Sequence, residues 1–171
     1  MRIGILGGTF DPVHLGHLQL ARRALRKFRL DRIYFVPAKQ SPFKLHLKPA
    51  AASHRLRMIQ LALRGWPKLK ISNVELRRRG PSFMVQTVGA FRRRFPRTQI
   101  FVILGKDARR SFSGWKDWRK ILKMAGMAVG ARHLDISSSD IRRRVRNGAS
   151  ISTLVPAGVR KYIKRKKLYL K

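Results

Sequence analysis

The sequence predicts an open doubly wound α/β fold, in which helices cover both faces of a mostly parallel sheet of about five strands. Short apolar runs alternate with segments of helical periodicity along almost the whole chain, which is typical of parallel strands joined by crossover helices. No internal repeat, low-complexity linker or domain boundary interrupts this pattern. We therefore expect residues 1–171 to form one domain.

The predicted strands are the apolar runs of the chain. The first is RIGILG, and the fourth, TQIFVILG, is the most apolar. The predicted strands cover residues 2–7, 31–38, 69–76, 98–105 and 126–131. In an open parallel sheet the ligand binds at the carboxyl ends of the strands, so the residues directly after each run are candidates for function.

The segments between the strands repeat apolar residues every three or four positions and carry basic residues on the other face. Ser53 is the predicted N-cap of the second helix, and a serine also begins the helix SSSDIRRRVRNG. The predicted helices cover residues 14–28, 54–66, 82–95, 113–125 and 137–148, and a closing helix within 152–171 ends in a basic tail at 164–171.

The charge of the chain is strongly unbalanced, with 41 Lys and Arg against seven Asp and Glu and a formal net charge of +34. A charge of this size repels itself in the compact state and favours polyanionic partners. It is compatible both with a solvated basic surface and with association with nucleic acid or the ribosome. The charge alone indicates an affinity for phosphate without saying which phosphate.

The chain contains no cysteine, which excludes disulfides and thiolate metal sites and agrees with a reducing compartment. No apolar run reaches the ~18 residues of a membrane helix, so no membrane association is expected. The N-terminus lacks the apolar core and the cleavage site of a signal peptide. We expect a soluble cytoplasmic protein.

The stretch GGTFDPVHLGH follows the first strand and concentrates residues suited to binding an anion. Gly7 and Gly8 let the backbone turn sharply and approach a ligand. The helix that follows offers free N–H groups at its N-terminus. His14 and His17 share one helical face and can donate hydrogen bonds to oxygens whose negative charge grows during a reaction.

Gly16 lowers the stability of that helix by roughly 1 kcal/mol, a cost that indicates that another group comes close at this position. A zinc site is a weaker interpretation of the same stretch. The pair H-x-x-H is not the H-E-x-x-H pattern of a helical zinc site, and no third ligand is evident in the sequence. No metal bound by the protein itself is predicted.

Two motifs in the chain resemble the signatures of one nucleotidyltransferase superfamily. GILGGTFDPVHLGHL matches its H-x-G-H signature, and ISSSDIR matches its second signature, I-S-S-T-x-I-R, in the same order. Within that superfamily the chain resembles bacterial nicotinate-nucleotide adenylyltransferases over nearly its whole length. The supporting stretches are FVPAKQSPFK, HRLRMIQLAL, VELRRRGPSF, ILGKDARRSFSGWKDW and LVPAGVRKYI.

This resemblance implies a Rossmann-like domain that joins the 5′-phosphate of nicotinate mononucleotide to the α-phosphate of ATP in NAD biosynthesis, with Mg²⁺ carried by the ATP phosphates. The implied catalytic residues are His14, His17, Lys44 and Arg142. The implied ATP-binding residues are Gly7, Gly8, Thr9, Phe10, His14, His17, Gly105, Asp107, Ile136, Ser137, Ser138 and Arg142, with Asp11 holding the turn. The implied residues for the mononucleotide are Lys44, Phe83, Met84, Thr87 and Trp115.

The chain departs from the pattern of that family at three places. Met84 stands where the resemblance implies a threonine that helps to hold the nicotinate carboxylate, and Phe43 stands where it implies a histidine. Between AVGAR and DISSS only His133 and Leu134 remain, so a further strand is missing or stunted. We therefore expect a weakened preference for nicotinate over nicotinamide mononucleotide.

Two alternatives stay open on the sequence. The fold could serve as a basic module that binds nucleic acid or the ribosome with little catalysis, although no RNA-binding motif is present. It could also be an adenylyltransferase acting on phosphopantetheine, whose short length suits the chain but whose middle segments it does not resemble. The oligomeric state is not predicted.

Overall fold

A computed structural model describes residues 1–43, 48–130 and 136–170, and for residues 106–107 it describes the backbone only. Its strands form one five-stranded sheet in the order β3-β2-β1-β4-β5, and the four neighbouring pairs are all parallel. The strands are β1 Arg2–Gly8, β2 Arg32–Pro37, β3 Leu69–Ile71, β4 Gln99–Gly105 and β5 Gly126–Gly130. The predicted doubly wound parallel sheet is confirmed.

Helices cover both faces of the sheet because successive strand residues point to opposite sides. Leu6 belongs to one core cluster and its neighbour Ile5 to the other. The helices that contribute to the cluster of Leu6 are α1 Leu15–Lys27, α2 Ala52–Ala62, α6 Ser138–Arg146 and α7 Ala157–Arg165. Those that contribute to the cluster of Ile5 are α3 Met84–Arg94 and α5 Trp118–Met124.

Some predicted boundaries are wrong. β3 ends at Ile71 rather than at residue 76, because the chain turns there and carries the side chain of Glu75 inward to a hydroxyl on α3. The N-cap of α2 is Ala51, whose carbonyl accepts a hydrogen bond from the amide of Arg55 at 3.2 Å. Ser53 therefore lies inside the first turn of the helix.

The segment after β4 also differs from the prediction of one helix at 113–125. A short helix, α4 Lys106–Arg110, follows the strand directly, and a 3₁₀ turn covers Phe112–Gly114. α5 begins only after Asp117, which has a left-handed backbone with φ of 53°. This left-handed residue prevents the two helical pieces from joining.

The closing helix α7 ends at Arg165, and the next residues return to the protein instead of forming a detached basic tail. Leu168 and Tyr169 are partly buried and pack against the core cluster that contains α1 and α7. The predicted tail at 164–171 is basic in composition, but it begins inside α7 and carries two partly buried side chains, those of Leu168 and Tyr169. The shortened segment at 131–135 and Lys171 lie outside the described residues. None of the described helices is long and apolar enough to span a bilayer.

Candidate active site

A cleft of about 1370 Å³ opens at the carboxyl ends of the strands, where the strand order reverses between β1 and β4. One group of lining residues is polar and comes from the loop after β1 and from the start of α6. We call the residues Thr9, Asp11, His14, His17, Ser138 and Arg142 the polar end. Aromatic and apolar residues line the cleft as well. We call the residues Phe43, Phe83, Met84 and Trp115 the aromatic end.

The loop after β1 is built around the ring of Phe10. This residue is 1% exposed, and its backbone is left-handed with φ of 52°. Its ring packs 5.0 Å from that of His17 and 5.4 Å from that of Phe35. A Cβ built at Gly8 would lie 3.1 Å from this ring, so Gly8 makes room for Phe10. The ring of Phe10 therefore fills the inside of this turn.

The two histidines lie together at the start of α1. His14 is the N-cap residue, and its backbone N–H donates to Nδ1 of His17 at 3.3 Å. The ring centroids are 3.7 Å apart, and His14 is 1% exposed. A Cβ built at Gly16 would lie 3.1 Å from Nδ1 of His14. The glycine thus leaves room for the histidine ring, which is the group that comes close at this position.

α6 docks onto the loop after β1 through its first turn. Ser137 caps the helix by accepting from the amide of Asp140 at 3.0 Å, and Oγ of Ser138 donates to the carbonyl of Pro12 at 3.0 Å. Nη1 of Arg142 donates to the carbonyl of Asp11 at 2.7 Å. The N-terminus of α6 and a guanidinium therefore meet the N-terminus of α1 at one place, which suits a polyphosphate.

Arg55, which the sequence analysis did not identify, supports the polar end from outside the cleft lining. It is 2% exposed and donates to the carbonyls of Thr9 at 2.9 Å, Ala38 at 2.8 Å and Ala50 at 2.9 Å. Burial lowers its pKa, while the charge of Asp11 opposes that shift. The sequence does contain a signal for its burial, because Arg55 lies three positions before Met58 and therefore on the same, buried face of α2.

A buried carboxylate lies beside the aromatic end. Glu75 is 4% exposed, lines the cleft and accepts a hydrogen bond of 2.6 Å from the hydroxyl of Thr87. Burial raises the pKa of Glu75, and its hydrogen bonds and the nearby Arg78 oppose that shift. Nη2 of Arg78 also donates to the Thr87 hydroxyl at 2.7 Å.

Thr87 itself is wholly buried and does not line the cleft. Its hydroxyl is engaged by Glu75 and Arg78, and its contact with the mononucleotide stays a prediction. The signal for Glu75 was present in the sequence as one of only seven acids, but its partner lies on another element.

The aromatic end is held by ring contacts. The Trp115 ring lies 5.3 Å from that of Phe112 and 6.3 Å from that of Phe43, which is 60% exposed. Nζ of Lys116 lies 4.6 Å from the centre of the Phe83 ring. A Cβ built at Gly7 would lie 2.7 Å from Cε of Met84, so the end of β1 touches this group directly.

The remaining predicted residues are placed as follows. Gly105 is buried at the end of β4, and Ile136 is 7% exposed in the core, so neither lines the cleft. Asp107 belongs to α4, and its side chain lies outside what the structure describes, as does the whole of Lys44. Within the described residues, no three His, Asp or Glu side chains are grouped in a way that could hold a metal ion.

Comparison with known proteins places this site in a family. The family described as cytidylyltransferase-like matches residues 5–144. A probable nicotinate-nucleotide adenylyltransferase of Bordetella petrii is 40% identical over 197 positions, which cover 98% of each chain. The chain belongs to the nicotinate-nucleotide adenylyltransferase family. A protein of the same name from Thermus thermophilus is 38% identical and covers 99% of this chain and 100% of its own.

The fold of this nicotinate-nucleotide adenylyltransferase family member matches that of solved structures. The nicotinic acid mononucleotide adenylyltransferase of Plasmodium falciparum complexed with NaAD superposes with a TM-score of 0.81 at 17% identity, over 98% of this chain and 97% of the other. The alignment with the Bordetella petrii protein runs over 197 positions although this chain has 171 residues. That relative therefore carries residues that this family member lacks.

Proposed function

We propose that this chain, as a single nucleotidyltransferase domain, transfers the adenylyl group of MgATP to nicotinate mononucleotide, forming nicotinate adenine dinucleotide and pyrophosphate. The observation that carries the proposal is the meeting of His14, His17, the first turn of α6 and Arg142 at one end of a single cleft. The aromatic end of the same cleft offers flat apolar surfaces that suit a pyridine ring. The names of the relatives support the same reaction.

The reaction requires positioning and charge stabilisation more than covalent chemistry. An oxygen of the mononucleotide 5′-phosphate forms a bond to the α-phosphorus of ATP. The bond from that phosphorus to the oxygen bridging to the β-phosphate breaks, and pyrophosphate leaves with that oxygen. Holding both substrates in one cleft converts a bimolecular step into an effectively unimolecular one.

The polar end supplies the groups that stabilise negative charge on the phosphates of ATP. We assign the ring of His17 to the α-phosphate, where a donor stabilises charge that grows in the transition state. Arg142 and Ser138, at the N-terminus of α6, are assigned to the β- and γ-phosphates that become pyrophosphate. Mg²⁺ would enter as part of the MgATP substrate and would offset negative charge on the phosphates.

The reaction is tested directly with purified protein. Incubation with ATP, Mg²⁺ and nicotinate mononucleotide should yield dinucleotide and pyrophosphate in equal amounts, measured by chromatography and by a coupled pyrophosphate assay. Phosphopantetheine in place of the mononucleotide should yield no adenylylated product. A chain that binds MgATP and transfers nothing to the mononucleotide contradicts the proposal.

We also propose that the exposed basic side chains bind nucleic acid without sequence preference. The chain has 41 basic residues and only seven acids, so most cations have no acidic partner to neutralise them. Such binding releases counterions and weakens steeply as salt concentration rises. Titration of a random DNA duplex at several salt concentrations tests this, and affinity that does not change with salt contradicts it.

A further inference from the structure

Residues 166–170, which we call the C-terminal segment, cross from the end of α7 to the loop after β1. The described residues Lys167 to Leu170 all line the cleft. Lys167 and Tyr169 both have left-handed backbones, with φ of 48° and 67°. Residues other than glycine rarely adopt this backbone conformation, so it persists only where the surrounding contacts stabilise it. Lys167 and Leu170 are exposed, whereas Leu168 and Tyr169 are partly buried, so the segment meets the protein through these two side chains.

The fixed contact is a hydrogen bond to a buried carboxylate. The hydroxyl of Tyr169 donates to Oδ1 of Asp11 at 2.7 Å. The amide of Ala50 donates to the same oxygen at 3.3 Å, so the tyrosine supplies the shorter bond. Burial, with the charge of Asp11, raises the pKa of Tyr169 far above its usual range. The hydroxyl therefore keeps its proton at neutral pH and acts as a donor to Asp11.

Asp11 places a negative charge in a site that we assign to the negatively charged phosphates of ATP. Its side chain is 7% exposed, and a buried carboxylate without donors is strongly unfavourable. Nη1 of Arg142 lies 3.8 Å from Oδ2 of Asp11, while the same nitrogen donates to the Asp11 carbonyl at 2.7 Å. Among the described residues, the cation assigned to the phosphates is the one that lies within 4 Å of the Asp11 carboxylate.

The donor on Oδ1 decides how strongly Asp11 competes for that cation. With the Tyr169 hydroxyl in place, the carboxylate of Asp11 accepts a short hydrogen bond that does not involve Arg142. Without it, the carboxylate gains more from drawing Nη1 toward itself, because ion pairing strengthens in a site shielded from water. Arg142 would then present less of its guanidinium to the cleft, and the anion would bind more weakly.

We propose that Tyr169 is a positioning residue for ATP, which satisfies Asp11 and thereby leaves Arg142 free to hold the triphosphate. The residue does not touch the reacting atoms. This inference rests on the proposed function, since it assumes that the polar end receives the phosphates of ATP.

The test compares Tyr169→Phe with Tyr34→Phe. Both remove one hydroxyl and keep the ring, but Tyr34 packs against Phe91 in the core on the other face of the sheet. Tyr169→Phe should raise the KM and the Kd for MgATP about tenfold, the scale of losing a hydrogen bond to a charged group. The KM for nicotinate mononucleotide should change less than about twofold, and Tyr34→Phe should change neither constant.

Calorimetric titration of MgATP separates the two proposals. A wild-type chain that binds MgATP and makes no dinucleotide overturns the proposed reaction, while the Kd values still decide the role of Tyr169. Equal Kd values for wild type and Tyr169→Phe overturn the positioning role. A loss that is confined to kcat or to thermal stability, with KM for MgATP unchanged, overturns it as well, because that is the result of a purely structural contact.

A double-mutant cycle with Asp11→Asn tests the route through Asp11. An amide in place of the carboxylate no longer competes for Arg142, so Tyr169→Phe should raise the Kd for MgATP less than about twofold in that background. If the two substitutions act independently on the Kd, the tyrosine does not act through Asp11 and the inference fails. Should Asp11→Asn not fold, the Kd and KM comparison of Tyr169→Phe with Tyr34→Phe decides alone.

Discussion

The two ends of the cleft are held together in different ways. At the polar end, Ser138, Arg142 and Tyr169 reach across 126, 131 and 158 positions of sequence to bond the loop after β1. At the aromatic end, by contrast, the Trp115 ring packs against those of Phe43 and Phe112, and Met84 packs against the end of β1. Directional bonds fix the geometry required for phosphate chemistry, whereas apolar contacts tolerate exchange of side chains. Both of the departures from the family pattern that line the cleft, Phe43 and Met84, lie at the aromatic end.

The largest effect is expected at the polar end from His17→Ala. Removing one preorganised donor to a developing charge should lower kcat by about 10²–10³-fold. The fold should persist, because His17 is partly exposed and α1 keeps its buried leucines. Steady-state kinetics with a circular dichroism control measures this. An unchanged kcat would mean that the histidine pair only caps the helix.

Arg142→Ala should have the next largest effect. Loss of a charged donor to the phosphates should lower kcat/KM for ATP by about 10–100-fold. Arg144→Ala is the matched control, because it removes the same charge from an exposed position two residues further along α6. If both variants lose activity equally, net charge rather than position governs ATP binding, and the contrast between the two ends fails.

Met84→Thr should change selectivity more than rate. A hydroxyl here can donate to a carboxylate, and charged acceptors form the stronger hydrogen bonds. The preference for nicotinate over nicotinamide mononucleotide should therefore rise by about 1–2 kcal/mol. The ratio of kcat/KM values for the two substrates measures this, with Met84→Leu as a control that should leave the ratio unchanged. A ratio that stays constant in Met84→Thr would remove Met84 from the substrate ring.

A smaller effect concerns the buried acid beside the aromatic end. Burial raises the pKa of Glu75 in the folded protein above its ordinary value of 4.5. The folded state then holds the proton more tightly than the unfolded state, so the stability contributed by this proton is complete below pH 4.5 and is lost as the pH rises through the folded pKa. Glu75→Gln removes the titration.

We therefore expect the free energy of unfolding of wild type to fall relative to that of Glu75→Gln as the pH is raised. Urea unfolding of both proteins at a series of pH values from 4.5 upward measures the difference in unfolding free energy. A difference that does not depend on pH would show that the hydrogen bond from Thr87 and the charge of Arg78 offset the cost of burial completely.

The sequence predicted the sheet well because strand and helix periodicity are local properties. The apolar run that contains Ile5 and Leu6 indicates a buried strand without any knowledge of its neighbours in the fold. The serine cap of α6 and the two histidines are local in the same sense. Local signals failed where tertiary contacts override them. Ser53 has the chemistry of a cap, yet α2 begins at Ala52 because Arg55 is drawn in to bond three carbonyls.

The supporting contacts of the site could not be predicted for the same reason. Nothing in the neighbours of Tyr169 indicates that its hydroxyl meets residue 11, since the sequence around it looks like a basic end segment. Thr87 resembles a residue that faces the ligand, and only the position of Glu75 shows that its hydroxyl is already engaged. Pairings of distant polar side chains depend on the assembled fold rather than on any local pattern.

The long sequence separations at the polar end also have a kinetic consequence. A contact between residues 11 and 169 closes a loop of nearly the whole chain, and contacts of this kind form late because the chain entropy is lost before the bond forms. During refolding, the sheet should regain its circular dichroism before the chain regains its affinity for ATP. On heating, local opening at the polar end should release the nucleotide while the core strands are still protected from hydrogen exchange. Thermal inactivation would then occur at a lower temperature than thermal unfolding.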